Sequence, residues 1–349
     1  MNHALVVGNG AAGTFSSWLL AKRGWKVTLV GRGTPSTAMS TGCPRSGSNL
    51  CRAEILEFLG NEKMPWTSGR REGISKIGTP YQCWTSPSHS TWKEGEPPRS
   101  IAVVGLDGHP SLQPLIASAT LNDRSIKAKP FRVPIQVPSD VPLAASFRND
   151  EAWESLTEEL KGLSAEAILL PAMADLQDYH RLDRLEGRCG RKILEAITPL
   201  STPGQRLADL SRSKAAEAGV VIWEGRKVTA LDVQEDAVSG ATVIGGMDAR
   251  NIAVDAVILA TGGPLVDGLV LKEREMIDPF GKFRVVRSED PLKGGYDGSN
   301  GMLISLGGRA MTNVAGAGDC LSSEHREYGS GLTGAMESAY LAVRALEEA

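Results

Sequence analysis

Gly8, Gly10 and Gly13 have the clearest chemical purpose in the chain. They follow an apolar run, Ala4 to Val7, and precede a stretch whose Phe15, Trp18, Leu19 and Leu20 suit the buried side of a helix. Gly24 ends that helix, and a second apolar run, Trp25 to Val30, begins at once. Strand, glycine turn, helix and strand in this order form a dinucleotide-binding unit. Gly8 makes the tight turn, Gly10 lets the backbone approach a pyrophosphate, and Gly13 lets the helix pack closely on the strand. The amides of Ala11, Ala12 and Gly13, with the helix dipole, then hold the anion. The alternative is the same unit without a ligand.

One part of the pattern is missing. An acidic residue normally ends the second strand and accepts a hydrogen bond from the adenosine ribose. Here the chain reads Gly31-Arg32-Gly33. Arg32 donates and cannot accept. It suits a phosphate, which points to NADP, or a stack on adenine. A solvated arginine at a strand end is the simpler reading.

Two later stretches suit a flavin. An apolar strand ends in Ala260-Thr261-Gly262-Gly263, where small residues let the chain pass close to a cofactor. A short strand, Asn313 to Gly318, is followed by Asp319, whose carboxylate suits a ribitol hydroxyl. Gly329, Ser330 and Gly331 then open a helix from about Leu332 to Leu346. Amides at Ser330, Gly331 and Leu332 would stabilise negative charge on a reduced flavin ring. Ser40, Thr41 and Gly42 lie in a small, polar segment that would present hydroxyls and amides to flavin polar atoms; an ordinary surface loop is the alternative.

These groups need a large scaffold. The 349 residues suffice for one large domain or two ordinary ones. The expected fold is α/β, a Rossmann-like FAD/NAD(P)-binding fold with a central parallel sheet. Three alternating runs, KVTALDV, VSGATVIGG and IAVDAVILATGG, predict an antiparallel β-meander whose last strand returns to that sheet. Residues 1–60 and 200–349 are expected to form the flavin-binding domain. Residues 61–199, irregular in pattern and rich in proline at first, are expected to form an inserted cap or substrate domain. A net charge of −3 gives no reason to expect nucleic acid. Five cysteines without a CxxC pair suit a reducing compartment and argue against an iron–sulfur cluster held by this chain. Five scattered histidines show no ligand spacing, so no metal is expected. No leader pattern and no long apolar run stand out. A cytoplasmic location without membrane insertion is therefore expected, with any membrane contact made through a partner.

The order of these motifs resembles that of the fumarate reductase and succinate dehydrogenase flavoprotein superfamily. Within it, several stretches resemble the B subunit of the anaerobic glycerol-3-phosphate dehydrogenase. They are Val30-Gly31-Arg32-Gly33, Val104 to Gly108 with Gln113-Pro114-Leu115, Leu170-Pro171-Ala172, Leu200 to Leu207, Leu259 to Gly263, and Arg326 to Gly331. The resemblance implies a flavin-bearing subunit beside a catalytic A subunit and an iron–sulfur membrane-anchor subunit. It implies oxidation of sn-glycerol 3-phosphate to dihydroxyacetone phosphate, with electrons passed to quinone. That family is described with FMN. The pyrophosphate turn favours FAD, because FMN has no second phosphate or adenosine to fill it. Arg326 is expected to clamp a substrate anion, or else to be a surface arginine paired with Glu324 or Glu327. His325 is a candidate proton carrier. Two other readings stay open: a stand-alone fumarate reductase-like oxidoreductase on another small acid or enone, and a non-catalytic dinucleotide-binding subunit.

Overall fold

The computed structural model describes residues 1–137, 143–200, 202–266, 268–273, 275–288, 290, 293–299, 301–322 and 331–349, without the side chains of Leu265 and Ser299. The chain forms two compact units. One comprises Met1–Thr37, Ser48–Phe58 and Leu210–Ala349; the other comprises Ala38–Gly47 and Leu59–Asp209.

In the first unit, β1 (His3–Val7), α1 (Ala11–Lys22) and β2 (Lys26–Gly31) follow one another. A seven-stranded sheet runs in the order Val221–Glu224, β2, β1, Ala256–Leu259, Ala310–Gly316, Met302–Ile304, Gly298–Ser299. The first five strands are parallel. β1 after His3 and Ala256–Leu259 read as apolar runs, as strands covered on both faces must, and Ala310–Gly316 is buried throughout only from Val314 onward. Their register is level. Val30, Val7, Leu259 and Gly316 form one row across the sheet, each paired with the next. The glycine turn, the end of β2 and the Ala260-Thr261-Gly262 stretch therefore leave the same edge.

The C-terminal helix Leu332–Glu348 packs against α1. Arg23, just past α1, forms an ion pair with Glu347 in the last turn of that helix. The two helices thus run the same way, and both start toward the carboxyl edge of the sheet.

The expected meander is present with one correction. Its strands are Lys227–Gln234, Ala237–Gly245 and Asp248–Ala253, all antiparallel. The run IAVDAVILATGG is two strands, because the chain turns at Val254 and Asp255. The Asp255 carboxylate accepts from the His3 amide at 2.7 Å. Ala256–Leu259 is then a separate strand of the parallel sheet.

The second unit has its own four-stranded parallel sheet, ordered Lys127–Val133, Ser100–Leu106, Ala167–Leu170, Lys192–Glu195. Pro130 sits in the edge strand, the place where a missing ladder donor costs least. The helix Asp150–Lys161 is capped by Asn149, whose side chain accepts from the Ala152 amide at 2.9 Å. Residues after 60 looked irregular in sequence. They include an antiparallel sheet of Pro80–Pro87, Trp66–Ile74 and Trp92–Lys93. A register shift between Ser68 and Arg71 breaks the alternation that would have revealed it.

Candidate functional site

The three glycines are required for different reasons. Gly8 has φ +114°, and a Cβ there would lie 2.1 Å from the Ala260 carbonyl oxygen. A Cβ on Gly13 would lie 1.7 Å from the Gly8 carbonyl oxygen. Both are demanded by the protein's own packing. Gly10 is different: a Cβ there meets only Thr37 Oγ1, at an ordinary 3.6 Å. The fold leaves room at Gly10 that it does not itself use. That is the cradle a pyrophosphate needs at a helix start.

Gly10 caps α1 without a side chain to offer. Thr37 supplies one: its hydroxyl accepts from the Ala11 amide at 2.7 Å. Thr37 was not legible as a cap, because it lies far from α1 in sequence. Ala11 and Ala12 are buried, as a close-packed first turn demands.

Gly8, Gly10, Arg32, Thr261 and Gly262 line one cleft of about 150 Å³ within the first unit. Thr261 Oγ1 donates to the Gly268 carbonyl at 3.3 Å, and Gly262 has φ +78°. Arg32 is exposed at the mouth of β2. Arg226, just before the first meander strand, and Lys227, its first residue, join the lining, and no carboxylate does so among the described residues. The Arg226 guanidinium lies 5.5 Å from the Trp223 ring centroid and 3.8 Å from Asp248 Oδ2.

Gly318 lies two residues past the strand Ala310–Gly316, so that strand ends earlier than the expected Asn313 to Gly318. Gly318 has φ +76°, and a Cβ there would lie 3.0 Å from Ala12 Cβ. Its amide donates to Ser338 Oγ at 2.8 Å. This joins the Gly318 turn, the first turn of α1 and the C-terminal helix. Asp319 follows and is exposed. Gly331, at φ +87°, and Leu332 start the C-terminal helix. His325, Arg326 and Ser330 lie outside the described residues.

Ser40, Thr41 and Gly42 belong to the second unit. Ser40 Oγ accepts from the Gly42 amide at 3.1 Å. The Thr41 hydroxyl lies 2.8 Å from the Tyr81 hydroxyl. Gly42 has φ +69° and would clash with the Pro203 carbonyl if it carried a Cβ. The polar groups of this segment are thus engaged with their own unit.

The second unit also buries an ion pair. Arg206 Nη1 lies 2.6 Å from Glu195 Oε2, both side chains being almost inaccessible. Glu195 Oε1 also accepts from the amides of Met173 and Ala174. Burial works against the Arg206 charge, but Glu195 beside it keeps the guanidinium protonated. Arg206 also stacks on Tyr179, 4.8 Å from the ring centroid. Cys43 and Cys83 pack together nearby, and the thiol hydrogen bond between them raises the pKa of Cys43 and lowers that of Cys83.

No family model matches the chain. The chain is similar to the B subunit of the anaerobic glycerol-3-phosphate dehydrogenase of Yersinia pestis bv. Antiqua (strain Antiqua), at 28% identity over 202 residues, covering 53% of this chain and 46% of that protein. The B subunit of Yersinia pseudotuberculosis serotype I (strain IP32953) matches equally. The match spans about half the length of these curated relatives. Among solved structures, Thermovibrio ammonificans THI4 aligns with a TM-score of 0.42 and 11% identity, over 99% of this chain and 89% of that one. The 3-ketosteroid delta1-dehydrogenase from Sterolibacterium denitrificans aligns with a TM-score of 0.35 and 14% identity, over 75% and 48%. The fold assignment rests on the strand row and the glycine turn, not on these distant likenesses.

Proposed function

We propose that the chain is a flavin-bearing oxidoreductase subunit similar to the B subunit of anaerobic glycerol-3-phosphate dehydrogenase, with FAD held by the first unit. One observation carries this reading. Gly8 and Gly10, from the start of the chain, line the same cleft as Thr261 and Gly262, from the end of another strand. Gly10 leaves a cradle that the protein does not fill. In this reading a pyrophosphate would lie there, and an adenosine would lie toward Arg32 and Arg226. FMN would leave both unused, so FAD is favoured. FAD, when bound, supplies the two-electron acceptor.

The amides of Ala12 and Gly13 would hold the pyrophosphate, since the Ala11 amide already donates to Thr37. Asp319 accepts from the ribitol, and Gly318, Gly331 and Leu332 approach the flavin. Arg326 and His325 would serve the substrate anion and its proton. Residues 1–60 and 200–349 would be the flavin-binding domain and residues 61–199 an inserted cap or substrate domain. The substrate would be sn-glycerol 3-phosphate, and the partners a catalytic A subunit and an iron–sulfur membrane-anchor subunit. The chain would work in the cytoplasm at the membrane face through those partners. Among the described residues no helix is long and apolar enough to cross a membrane.

A second reading draws on the partial match to the longer relatives: a stand-alone flavoprotein acting on another small acid or enone. Dye reduction by sn-glycerol 3-phosphate separates the two, measured with the chain alone and then with a cognate A subunit. Reduction only with the A subunit supports the first reading. A flavin-loaded chain inert in both assays contradicts it.

A further inference from the structure

We infer that Asn9 reads the adenosine ribose in place of the missing acid, and that the cleft accepts a 2′-phosphorylated adenosine nucleotide as readily as ADP. This rests on the dinucleotide reading of the first unit. Gly31 is the last residue of β2, where a dinucleotide fold normally projects its acid toward the ribose. With no side chain at Gly31, the space is taken by another residue. A Cβ on Gly31 would lie 2.4 Å from Asn9 Cγ and 2.6 Å from Asn9 Nδ2. Asn9 therefore sits over the end of β2, in the volume the acid would enter.

Its orientation is set by the backbone. Asn9 Nδ2 donates to the Gly33 carbonyl at 3.0 Å. With the amide nitrogen committed there, Oδ1 is the atom Asn9 can offer to a ribose hydroxyl. Asn9 and Gly33 both line the cleft. The glycine at position 31 and the asparagine at position 9 are thus one arrangement: the first makes room for the second.

The exchange changes the charge at the ribose. A carboxylate there repels a 2′-phosphate, whereas a neutral amide does not. The charged residues lining the cleft are Arg32, Arg226 and Lys227, with no carboxylate among the described residues. Arg226 lies 3.8 Å from Asp248 Oδ2, a carboxylate that is not part of the lining, so the balance at the cleft wall is positive but partly offset, and it favours an additional phosphate on the nucleotide.

Calorimetric titration of the full chain, freed of copurifying nucleotide, with ADP and with adenosine 2′,5′-bisphosphate tests this without turnover. The wild-type chain should bind the two within about threefold of each other, or the bisphosphate more tightly. Asn9→Asp should weaken the bisphosphate at least tenfold relative to ADP, roughly the step that one opposed charge produces. Asn9→Ala, checked by its melting temperature, should weaken both nucleotides and leave their ratio unchanged. A wild type that binds ADP but rejects the bisphosphate overturns the inference and leaves the dinucleotide reading standing. So does an Asn9→Asp chain that folds and keeps the wild-type preference. Binding of neither nucleotide removes the dinucleotide reading, and this inference with it.

Discussion

Gly10 and Gly13 sit on the same turn and should respond oppositely to the same substitution. Alanine at position 13 puts a methyl 1.7 Å from the Gly8 carbonyl oxygen, so the helix must move off the strand. Gly13→Ala should lose about 3 kcal/mol or more, read from urea unfolding. Alanine at position 10 meets only Thr37 Oγ1 at 3.6 Å, so Gly10→Ala should fold with a loss of about 1 kcal/mol or less. It should nevertheless release bound flavin. Equal stability losses in the two variants would contradict the distinct roles given to these glycines. Glu337 gives a prediction in pH. It is buried, and burial raises its carboxyl pKa, although Ser48 and the Asn49 backbone hydrogen-bond to it. The native state thus prefers the proton. The cost of burying the charge is fully present at neutral pH and disappears as pH falls below the ordinary value of 4.5. Glu337→Gln should raise the melting temperature by about 2 °C at pH 7, with the gain closing toward pH 4. A gain that grows as pH falls would reverse the sign argued here.

Elements depend on groups borrowed from elsewhere in the chain. The start of α1 takes its cap from Thr37, so Thr37→Val should cost about 1 kcal/mol in chemical unfolding. In the second unit, Glu195 ends a strand, pairs with Arg206 of the helix Thr202–Glu217, and satisfies two loop amides. Glu195→Ala would strand a buried guanidinium and orphan those amides. The expected loss is about 3–5 kcal/mol, and a loss below about 1 kcal/mol would show the pair to be dispensable. The sequence disclosed the elements whose signals are local. The turn from Gly8 to Gly13 was readable because each glycine has a fixed offset from the strand. The meander strands Lys227–Gln234 and Ala237–Gly245 are readable from the alternation of KVTALDV and VSGATVIGG. What stayed hidden depends on contacts distant in sequence. The Asp255 turn that splits IAVDAVIL needs His3 to hold it. The strands Trp66–Ile74 and Pro80–Pro87 are irregular in pattern because their register slips at Gly69 and Arg70. Asn9 carries no signal of its own between two glycines, because its role depends on Gly31, which lies against it only in the fold.

At the scale of the whole chain, the first unit draws both ends of the polypeptide to one edge of one sheet. The row Val30, Val7, Leu259 and Gly316 places the turns, and the Arg23–Glu347 pair fixes the direction of the two helices that begin above them. Such convergence is what a single extended nucleotide needs, since its pyrophosphate, ribitol and ring must be met by separate segments. The second unit repeats a parallel sheet with its own buried polar pair. The most direct measurement is the mass of the nucleotide released when the purified chain is denatured. The account predicts one FAD per chain; FMN alone, or no nucleotide from a correctly folded chain, would contradict it.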